Sequence, residues 1–415
     1  MLSVLNMTLG VRKLPLGSLK LDTSEYLVKL KCVTTGSNSN DIYFINNMQT
    51  KPSKGHLLFK PTFYNLKIEK EQKEFHTLIE TNTNIEILDE IFSQLKELIK
   101  LKAPDKKFTS NQLLIEIKNH IGKTLIKEYG IWVYYPWLNK VIHLLDKEEF
   151  IDVRTNRNQN KITAKERDLL ATKKIGIVGL SVGKSIALTI AQERICSEIF
   201  LADFDMIELS NLNRIQTGIQ NIGVKKTIVA AREIAEIDPF LKITCFHEGL
   251  SSENIDEFFT KSGNLNICIE VCDGLLAKVM VREKAKELKI PVVMDTNDRG
   301  MIDVERFDLE PNRPIFHGLI DHLSISKLKK AESDEEKLLF IDAIIDFNSC
   351  SKRLQKSMEE IGKTISTWPQ LASSVNLGGA LTCNVCRRIL LNEFNDSGRY
   401  FVDINEIIND TQSPK

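Results

Sequence analysis

The chain has 415 residues, of which 42% are hydrophobic, and its 56 Lys and Arg residues balance its 56 Asp and Glu residues. This length and apolar content allow a large core and favour two domains over one. A formal net charge of zero excludes a global attraction to nucleic acid or to an anionic membrane. The sequence has no apolar run long enough to span a membrane and no pattern of a secretory leader. A soluble, cytoplasmic protein is therefore expected.

Residues 1–150 are predicted to form a smaller N-terminal α/β domain, to which the sequence assigns no role. Apolar residues recur there either in short strand-like runs or at helical spacing. The predicted elements are two strands, two helices and an aromatic strand with a turn, at 41–46, 55–63, 85–101, 111–128 and 129–145. The aromatic segment is interpreted as packing against the next domain rather than as a binding patch.

Residues 151–405 are predicted to form an α/β domain with a doubly wound, Rossmann-like, mostly parallel sheet. Apolar strand-like segments alternate with helical ones, which indicates a parallel sheet covered on both faces. The predicted strands are 174–179, 198–205, 242–249, 266–273, 290–294, 304–309 and 400–405. The predicted helices are 185–194, 227–237, 277–288 and 371–391, and residues 320–370 are charged and helical in pattern.

The loop after the first of these strands is a candidate phosphate site. It runs from Gly179 through Ser181 and Gly183 to Ser185 and precedes a helix, whose N-terminus favours anions. The loop lacks two glycines of a Gly-x-Gly-x-x-Gly motif, and its glycines are one residue too close for a P-loop. A plain strand–helix turn therefore stays open. Asp203 ends the second strand, where dinucleotide folds place a ribose-binding acid, and this suits an NAD enzyme as well as an ATP enzyme.

The segment that follows is more specific. The run DFDMIELSNLNR, from Asp203 to Arg214, with Lys226 downstream, resembles the signature of the ThiF/MoeB/ubiquitin-activating superfamily. The resemblance extends from about residue 156 to about residue 391. It implies an adenylyltransferase that binds ATP and Mg²⁺ and activates a carboxylate as an acyl-adenylate, with release of pyrophosphate.

The resemblance also implies roles for individual residues. Asp203 would hold the ribose with Asp205 beside it, whereas the phosphates would be held by Asn211, Arg214 and Lys226. Arginine suits bidentate contacts to phosphate oxygens, and lysine supplies a point charge. Asp273, after the fourth strand, would hold Mg²⁺, which prefers one or two carboxylates together with phosphate oxygens.

The segment Arg154–Gln159 (RTNRNQ) looks like the arginine-containing segment that precedes the first strand in this family. The family's arginine there reaches the ATP of the partner subunit. Arg157 is the better match and Arg154 the second, while an ordinary surface arginine is an equal alternative. A match implies a homodimer in which Arg157 acts on the partner's ATP.

The substrate carboxylate is left open. A ubiquitin-like or sulfur-carrier protein, a peptide C-terminus, a small acid and a modified nucleotide in RNA are all candidates, although nucleic acid is not expected by default. The segments YYPWLNKVIHLL, RTNRNQNKIT and STWPQLASSVNLGG resemble segments of bacterial ThiF-like proteins with an extra N-terminal region. Those proteins are often fused to a nitroreductase-like domain, which is expected to be absent here. The loop 295–300 (DTNDRG) departs from well-studied relatives and should face the substrate, because ligands bind at the carboxyl ends of such strands.

Three cysteines near the end of the chain are candidates for chemistry: Cys350, Cys383 and Cys386. Cys350 lies near Lys352 and Arg353, which could lower its pKa for a thioester step, although an ordinary helix cysteine is favoured. Cys383 and Cys386 form a single Cys-x-x-Cys pair, so no structural zinc is predicted, since structural zinc requires four ligands.

The alternative functions are an NAD(P)-dependent oxidoreductase and a nucleotide-binding scaffold without turnover.

Overall fold

The computed structural model describes residues 57–328 and 334–409, all of which lie in a compact unit that spans residues 54–415. The strand predicted at 41–46, the start of the strand predicted at 55–63, and Cys32 lie outside the described residues. Elements are numbered below within the described part. The boundary at residue 150 between two domains stays a prediction.

The first part of this unit is a four-stranded sheet with three helices. Its strand order is β1-β3-β4-β2, with β1, β3 and β4 antiparallel in turn and β2 parallel to β4. The elements are β1 Thr62–Tyr64, α1 Glu69–Thr81, β2 Glu86–Asp89, α2 Ile91–Lys102, α3 Ser110–Ile121, β3 Ile131–Tyr135 and β4 Lys140–Leu144. The aromatic strand and turn predicted at 129–145 are thus confirmed as the hairpin β3–β4.

Two helix predictions in this region were wrong at their ends. The helix predicted at 85–101 begins only at Ile91, because Glu86–Asp89 pairs with β4 as a strand, and strand pairing overrides a local helical period. The helix predicted at 111–128 ends at Ile121. Gly122 follows it with a φ of 62° and a ψ of −122°, a backbone conformation that glycine adopts readily and that does not continue a helix. Helix α1 was not predicted.

The second part is a seven-stranded, mostly parallel sheet in the order β11-β10-β9-β8-β5-β6-β7. Strands β5 to β9 are parallel, and β10 and β11 add an antiparallel edge. The strands are β5 Lys174–Val178, β6 Glu198–Ala202, β7 Lys242–Phe246, β8 Ile267–Glu270, β9 Val292–Asp295, β10 Met301–Glu305 and β11 Gly398–Phe401. The doubly wound Rossmann-like fold is confirmed. The strands predicted at 304–309 and 400–405 lie a few residues too far along the chain.

Helices cover both faces of this sheet. The helices of this part of the chain are α4 Lys147–Arg154, α5 Ala164–Leu170, α6 Gly183–Glu193, α7 Lys226–Ile237, α8 Ile255–Thr260, α9 Leu275–Leu288, α10 Ile325–Leu328, α11 Asp334–Ile345, α12 Lys352–Glu360, α13 Ala372–Leu390 and α14 Ile404–Ile407. One apolar core packs α6, α7 and α13 on one face, and a second packs α8 and α9 on the other. Within the described residues, no helix has both the length and the apolar character needed to cross a bilayer.

The hairpin β3–β4 packs against the last turn of α7. The Tyr135 hydroxyl donates to the carbonyl of Ala235 at 3.3 Å, and the Trp137 indole N–H donates to the Glu236 carboxylate at 2.5 Å. The guanidinium of Arg232 lies 5.8 Å from the Trp137 ring. The aromatic residues of the hairpin therefore have a packing role, as the sequence predicts.

A chain of charged side chains is buried beside β8 and β10. Arg282 of α9 pairs with Glu270 at 2.6 Å and with Glu305 at 2.5 Å, and all three side chains are fully buried. Burial raises the pKa of Glu270, but the charges of Lys278 and Arg282 outweigh it and leave the pKa below its usual value. Arg282 thus neutralises two carboxylates that could not otherwise be buried as charges.

Candidate active site

The crevice at the carboxyl ends of β5 and β8 is the topological switch point of the large sheet. These strands are neighbours, yet the helices that follow them pack on opposite faces, so their loops diverge and leave a crevice where such folds bind ligands. The loop at Gly179 crosses directly over the loop after β8. A β-carbon on Gly179, whose φ is +90°, would lie 2.7 Å from the backbone nitrogen of Cys272. The loop therefore needs glycine at this position.

Replacing Gly179 by alanine is expected to destabilise the fold by roughly 3 kcal/mol, because positive-φ strain of about 1–3 kcal/mol adds to the backbone overlap. Gly223→Ala is the matched control. Gly223 has a φ of +83°, but a β-carbon there meets no atom within 4 Å, so only the strain is expected. Urea unfolding of both variants measures the difference, and equal losses would show that the crossing over Cys272 contributes nothing.

Asp203 ties the glycine loop to the end of β6. Its carboxylate accepts the N–H of Leu180 at 2.6 Å and the N–H of Asp205 at 2.8 Å. Burial raises the pKa of Asp203, and the charge of Lys226 and these N–H donors oppose the rise. Asp203, the residue predicted to bind the ribose, therefore lies directly beside the loop. Its carboxylate keeps lone pairs free for a ligand hydroxyl.

Lys226 begins helix α7 and is 7% exposed at its side chain. Its ammonium donates to the Asp205 carboxylate at 2.8 Å, and its backbone N–H donates to the Asp205 carbonyl at 2.9 Å. Asn211 is also buried, and its side-chain oxygen accepts the backbone N–H of Glu208 at 3.1 Å. The lysine is thus held at the site by a half-exposed carboxylate, and the asparagine shapes the segment that carries Arg214.

Arg214 reaches back over the glycine loop. Its Nε donates to the Ser181 hydroxyl at 3.1 Å, and its Nη1 donates to the Asn213 side chain at 3.0 Å. Burial lowers the pKa of Arg214, and the charge of Asp273 opposes that shift. Asp273 itself is exposed after β8. Ser181 and Arg214 therefore lie on the β5 side of the switch point, and Asp273 faces them from the β8 side.

One other basic residue near the loop, Lys184, is engaged elsewhere. The Lys184 ammonium is buried, donates to the carbonyl of Gln216 at 2.5 Å and pairs with Glu233. Gly183, which begins α6, packs against Ile177 of β5. Lys184 therefore does not serve as the lysine of a P-loop, in agreement with the spacing of the glycines.

The two arginines of the 154–159 segment have different surroundings. Arg154 donates to the carbonyl of Ala191 at 2.9 Å and to Asp238 at 3.0 Å, so it fixes the segment to the domain. Arg157 is exposed and makes no hydrogen bond or ion pair to any residue that the structure describes. The adjacent Asn158 binds the last residue of α6, about 16 Å along that helix from the glycine loop. Arg157 is therefore not assembled with the site of its own chain.

A cavity of about 750 Å³ adjoins the crevice and extends toward α12 and the segment before α13. Ser181 and Asp273 border it on the crevice side, and the loop 295–300 borders it after β9. This placement confirms that the loop lies at the carboxyl ends of the parallel strands. Apolar side chains form much of the remaining wall, among them Met294, Ile344, Trp368 and Leu371.

Asp295 and Asn297 of this loop were not singled out from the sequence. Asp295 is 4% exposed and Asn297 is 9% exposed, and each has one side-chain oxygen without a hydrogen-bond partner among the described residues. Burial raises the pKa of Asp295 to about 7, against the opposing effect of the Asn297 N–H. The sequence signals, a polar run that directly follows a buried strand and a departure from well-studied relatives, point to the loop 295–300 as a whole and do not distinguish these two residues within it.

The thiol of Cys350 does not have the surroundings of a reactive nucleophile. Burial raises its pKa to about 11, and the charges of Asp298 and Asp346 add to the rise. The expectation that Lys352 and Arg353 lower this pKa is therefore wrong, because the neighbouring carboxylates and burial dominate. Cys383 and Cys386 are buried in helix α13, and no group of three or more His, Cys, Asp or Glu side chains among the described residues could hold a metal ion.

Residues 155–345 match the sequence profile of the ThiF family. The chain carries a ThiF family domain. Its assignment to the ThiF/MoeB/ubiquitin-activating superfamily is thereby confirmed, and the matched residues include the crevice, the 203–214 segment and the loop after β9.

Three curated proteins illustrate what the chain is similar to. The uncharacterized protein MT1398 of Mycobacterium tuberculosis is 43% identical over 290 residues, which are 70% of this chain and 40% of that protein. The tRNA threonylcarbamoyladenosine dehydratase of Escherichia coli is 28% identical over 34% of this chain and 52% of its own length. Ubiquitin-like modifier-activating enzyme 5 of Arabidopsis thaliana is 24% identical over 28% of this chain and 30% of its own length. The chain thus spans about half of these relatives or less.

Among solved structures, E. coli tRNA N6-threonylcarbamoyladenosine dehydratase in complex with AMP aligns with a TM-score of 0.41 and 18% identity. That alignment covers 58% of this chain and 96% of the solved chain.

Proposed function

We propose that the ThiF family domain is an ATP-dependent adenylyltransferase that activates a carboxylate as an acyl-adenylate. The observation that carries this proposal is the grouping of Asp203, Arg214, Lys226 and Asp273 around one glycine loop at the switch point. A ribose-binding carboxylate and two phosphate-binding cations suit a nucleoside triphosphate. An oxidoreductase would leave both cations and Asp273 without a task.

The side chains at the crevice support the predicted roles in ATP binding. The Lys226 ammonium rests on the half-exposed Asp205 carboxylate, so it can exchange that contact for a phosphate oxygen without leaving the site. The Arg214 guanidinium is tied to neutral oxygens only, so its charge is available to a phosphate. Asn211 and the backbone from Gly179 to Gly183 are the other groups that we propose to contact the nucleotide.

Asp273 suits a magnesium ion bound together with a nucleotide. It is an exposed carboxylate on the rim of the cavity, and its charge acts on Arg214. Mg²⁺ is usually held by one or two carboxylates, with phosphate oxygens and waters as the remaining ligands, so a lone aspartate is sufficient. A bound Mg²⁺ would neutralise phosphate charge during the transfer.

In the proposed reaction, a carboxylate oxygen attacks the α-phosphorus of ATP. The bond from that phosphorus to the oxygen bridging to the β-phosphate breaks, and pyrophosphate leaves. Arg214 and Lys226 stabilise the charge that develops on the phosphate oxygens, and the cavity orients the acid. The attacking carboxylate is already ionised, so the site needs no strong base. The raised pKa of Cys350 argues against a thioester on that residue.

The substrate and the oligomeric state are further parts of the proposal. The name of a relative refers to ubiquitin-like modifier activation, which supports a protein C-terminus as one candidate, beside a small acid. The exposure of Arg157, away from its own crevice, supports a homodimer in which this arginine contributes to the partner's ATP site. A strictly monomeric protein in solution would exclude that role.

Exchange of labelled pyrophosphate into ATP, measured over a panel of carboxylic acids and carrier proteins, tests the function. Acid-dependent exchange is expected, and Asp273→Ala should reduce it by about 100-fold or more, because metal binding to the phosphates is lost. Asp168→Ala, at a carboxylate that is 74% exposed on α5, is the matched control and should not change it. Exchange that survives Asp273→Ala would refute the magnesium assignment. Tight NADH binding without ATP binding would refute the function.

A further inference from the structure

The cavity beside the crevice has an apolar wall that comes from one face of the large sheet. Met294 of β9, Met301 of β10 and Phe401 of β11 all border it. The strand register pairs Met294 with Asp303 and Met301 with Phe401. Paired residues, and residues two apart on a strand, share a face of the sheet, so the three apolar side chains lie on the same face. With strands about 4.8 Å apart, the wall reaches roughly 14 Å from β8 across to β11, away from the crevice.

Helices α11 and α12 supply further apolar side chains to the same cavity. α11 contributes Ile341, Ile344 and Ile345, and α12 contributes Leu354. Amphipathic helices normally bury their apolar side chains against a neighbouring element. In α12, however, no residue is buried, and Leu354 and Ile345 are only half-buried. These side chains therefore remain partly open to the cavity instead of completing a protein core.

Charged side chains that border the cavity have partners within the protein or access to water. The Lys278 ammonium lies 3.0 Å from the Glu270 carboxylate, and Arg299 is paired with two carboxylates. The Asp298 carboxylate accepts hydrogen bonds from the backbone N–H and the hydroxyl of Ser351, at 2.8 and 2.7 Å. The charged residues of α12 on the cavity are exposed or half-buried. An apolar ligand body leaves all of these contacts intact.

We propose that this cavity binds the apolar body of the acid that the domain activates, so that the substrate is a small carboxylic acid with an extended apolar chain or ring. This proposal rests on the proposed function. Ser181 and Asp273 border the cavity on the crevice side, which places the carboxylate toward the nucleotide and the body along the sheet. A volume of about 750 Å³ is within the range of small-molecule sites. A tail of small polar residues would leave the apolar walls exposed to water.

Isothermal titration with straight-chain acids, from butanoate to octanoate, tests this inference in the presence of Mg²⁺ and α,β-methylene-ATP. The Kd should fall by about fourfold for each added methylene group, the value expected for complete burial. Heptanoate should bind about tenfold or more tightly than its diether analogue 2-(2-methoxyethoxy)acetate, because the ether oxygens lose water in an apolar cavity. 3-Phenylpropanoate distinguishes a preference for a ring from a preference for a chain.

Two variants place an amide in the apolar wall, one on each helix. Leu354→Gln and Ile345→Gln should each weaken octanoate binding by about tenfold, because an unpaired buried amide is costly, and should leave butanoate binding almost unchanged. Leu339→Gln is the matched control. Leu339 also lies on α11, but it is 62% exposed and does not border the cavity. Octanoate binding and octanoate-dependent ATP–pyrophosphate exchange should stay at the wild-type level in this control.

The outcomes separate this cavity from the function on which the proposal rests. Chain-length-dependent binding that both variants weaken, but with no exchange for any acid, would support the cavity and refute the adenylation. Exchange with polar acids or carrier proteins only would overturn the apolar substrate and leave the adenylation standing. Affinities that do not change with chain length, equal binding of heptanoate and its diether, or a chain-length dependence that neither variant alters would also overturn it.

Discussion

Lys226→Met should lower ATP–pyrophosphate exchange by about 10²–10³-fold, the cost of removing one preorganised group that stabilises transition-state charge. The ammonium is 7% exposed and fixed at the first residue of α7, so its charge acts in a largely dehydrated site. Methionine keeps the length and apolar body of the side chain. The fold should be little affected, because the lost partner Asp205 is half exposed and such pairs contribute little to stability.

Lys242→Met is the matched control for this variant. Lys242 begins β7, at the amino ends of the parallel strands and therefore opposite the crevice, and its side chain is 73% exposed. It should retain full exchange. Mixing Lys226→Met with an inactive Arg157→Ala variant should restore activity if Arg157 acts on the partner's ATP, because one intact site forms in each mixed dimer. Wild-type exchange by Lys226→Met alone would refute the phosphate role.

Arg282→Met should destabilise the fold by about 3–5 kcal/mol, which is the usual cost of leaving a buried charge without its partner. Glu270 retains Lys278, but Glu305 loses its only ion-pair partner among the described residues. Both carboxylates are fully buried. Urea unfolding at pH 7 measures the loss. A cost below about 1 kcal/mol would show that the two carboxylates are neutral in the folded protein.

The loss of stability caused by Arg282→Met should depend on pH in a defined direction. In the wild type the pKa of Glu270 is below its usual value, so its stabilising effect is present above the unfolded pKa and is lost as the pH falls through the folded pKa. Without Arg282, burial raises the pKa of Glu305 further. The folded variant then favours the protonated form of Glu305. The free energy of unfolding that it has lost relative to the wild type should therefore become smaller as the pH falls from 8 to 5. Arg282→Met/Glu305→Gln should recover part of the loss at pH 7, because the buried charge is gone.

The parallel strands were predicted because they are buried on both faces and read as continuous apolar runs. The strand β10 was predicted a few residues too far along the chain, because it does not read as an apolar run. Its residues Asp303 and Glu305 are charged and fully buried, and their partners His317, Arg399 and Arg282 come from distant parts of the chain. A single sequence does not reveal such pairing, so a charged strand is indistinguishable from a loop until its partners are located.

The proposed nucleotide side of the site was predicted mainly from one continuous segment, since the residues from Asp203 to Arg214 lie within a short stretch of chain. On the proposed substrate side the sequence indicated the loop 295–300, but not the surroundings of its side chains, because these come from separate segments. The Asp295 carboxylate packs closely against Gly378 of α13, and burial together with the charge of Asp298, from another loop, raises the pKa of Cys350. Burial and electrostatics of this kind arise only once the chain is folded.

The contact of the hairpin β3–β4 with α7 has a practical consequence for expressing the protein in pieces. One end of that helix carries Lys226, and the other end is held by Tyr135 and Trp137. A fragment trimmed to the family match at 155–345 would lose the hairpin, the helix α13 and the strand β11. It would expose to solvent the apolar core that α13 and the hairpin cover, and we expect it to precipitate. A fragment from residue 57 to residue 409 keeps these contacts and is the better choice for crystallisation.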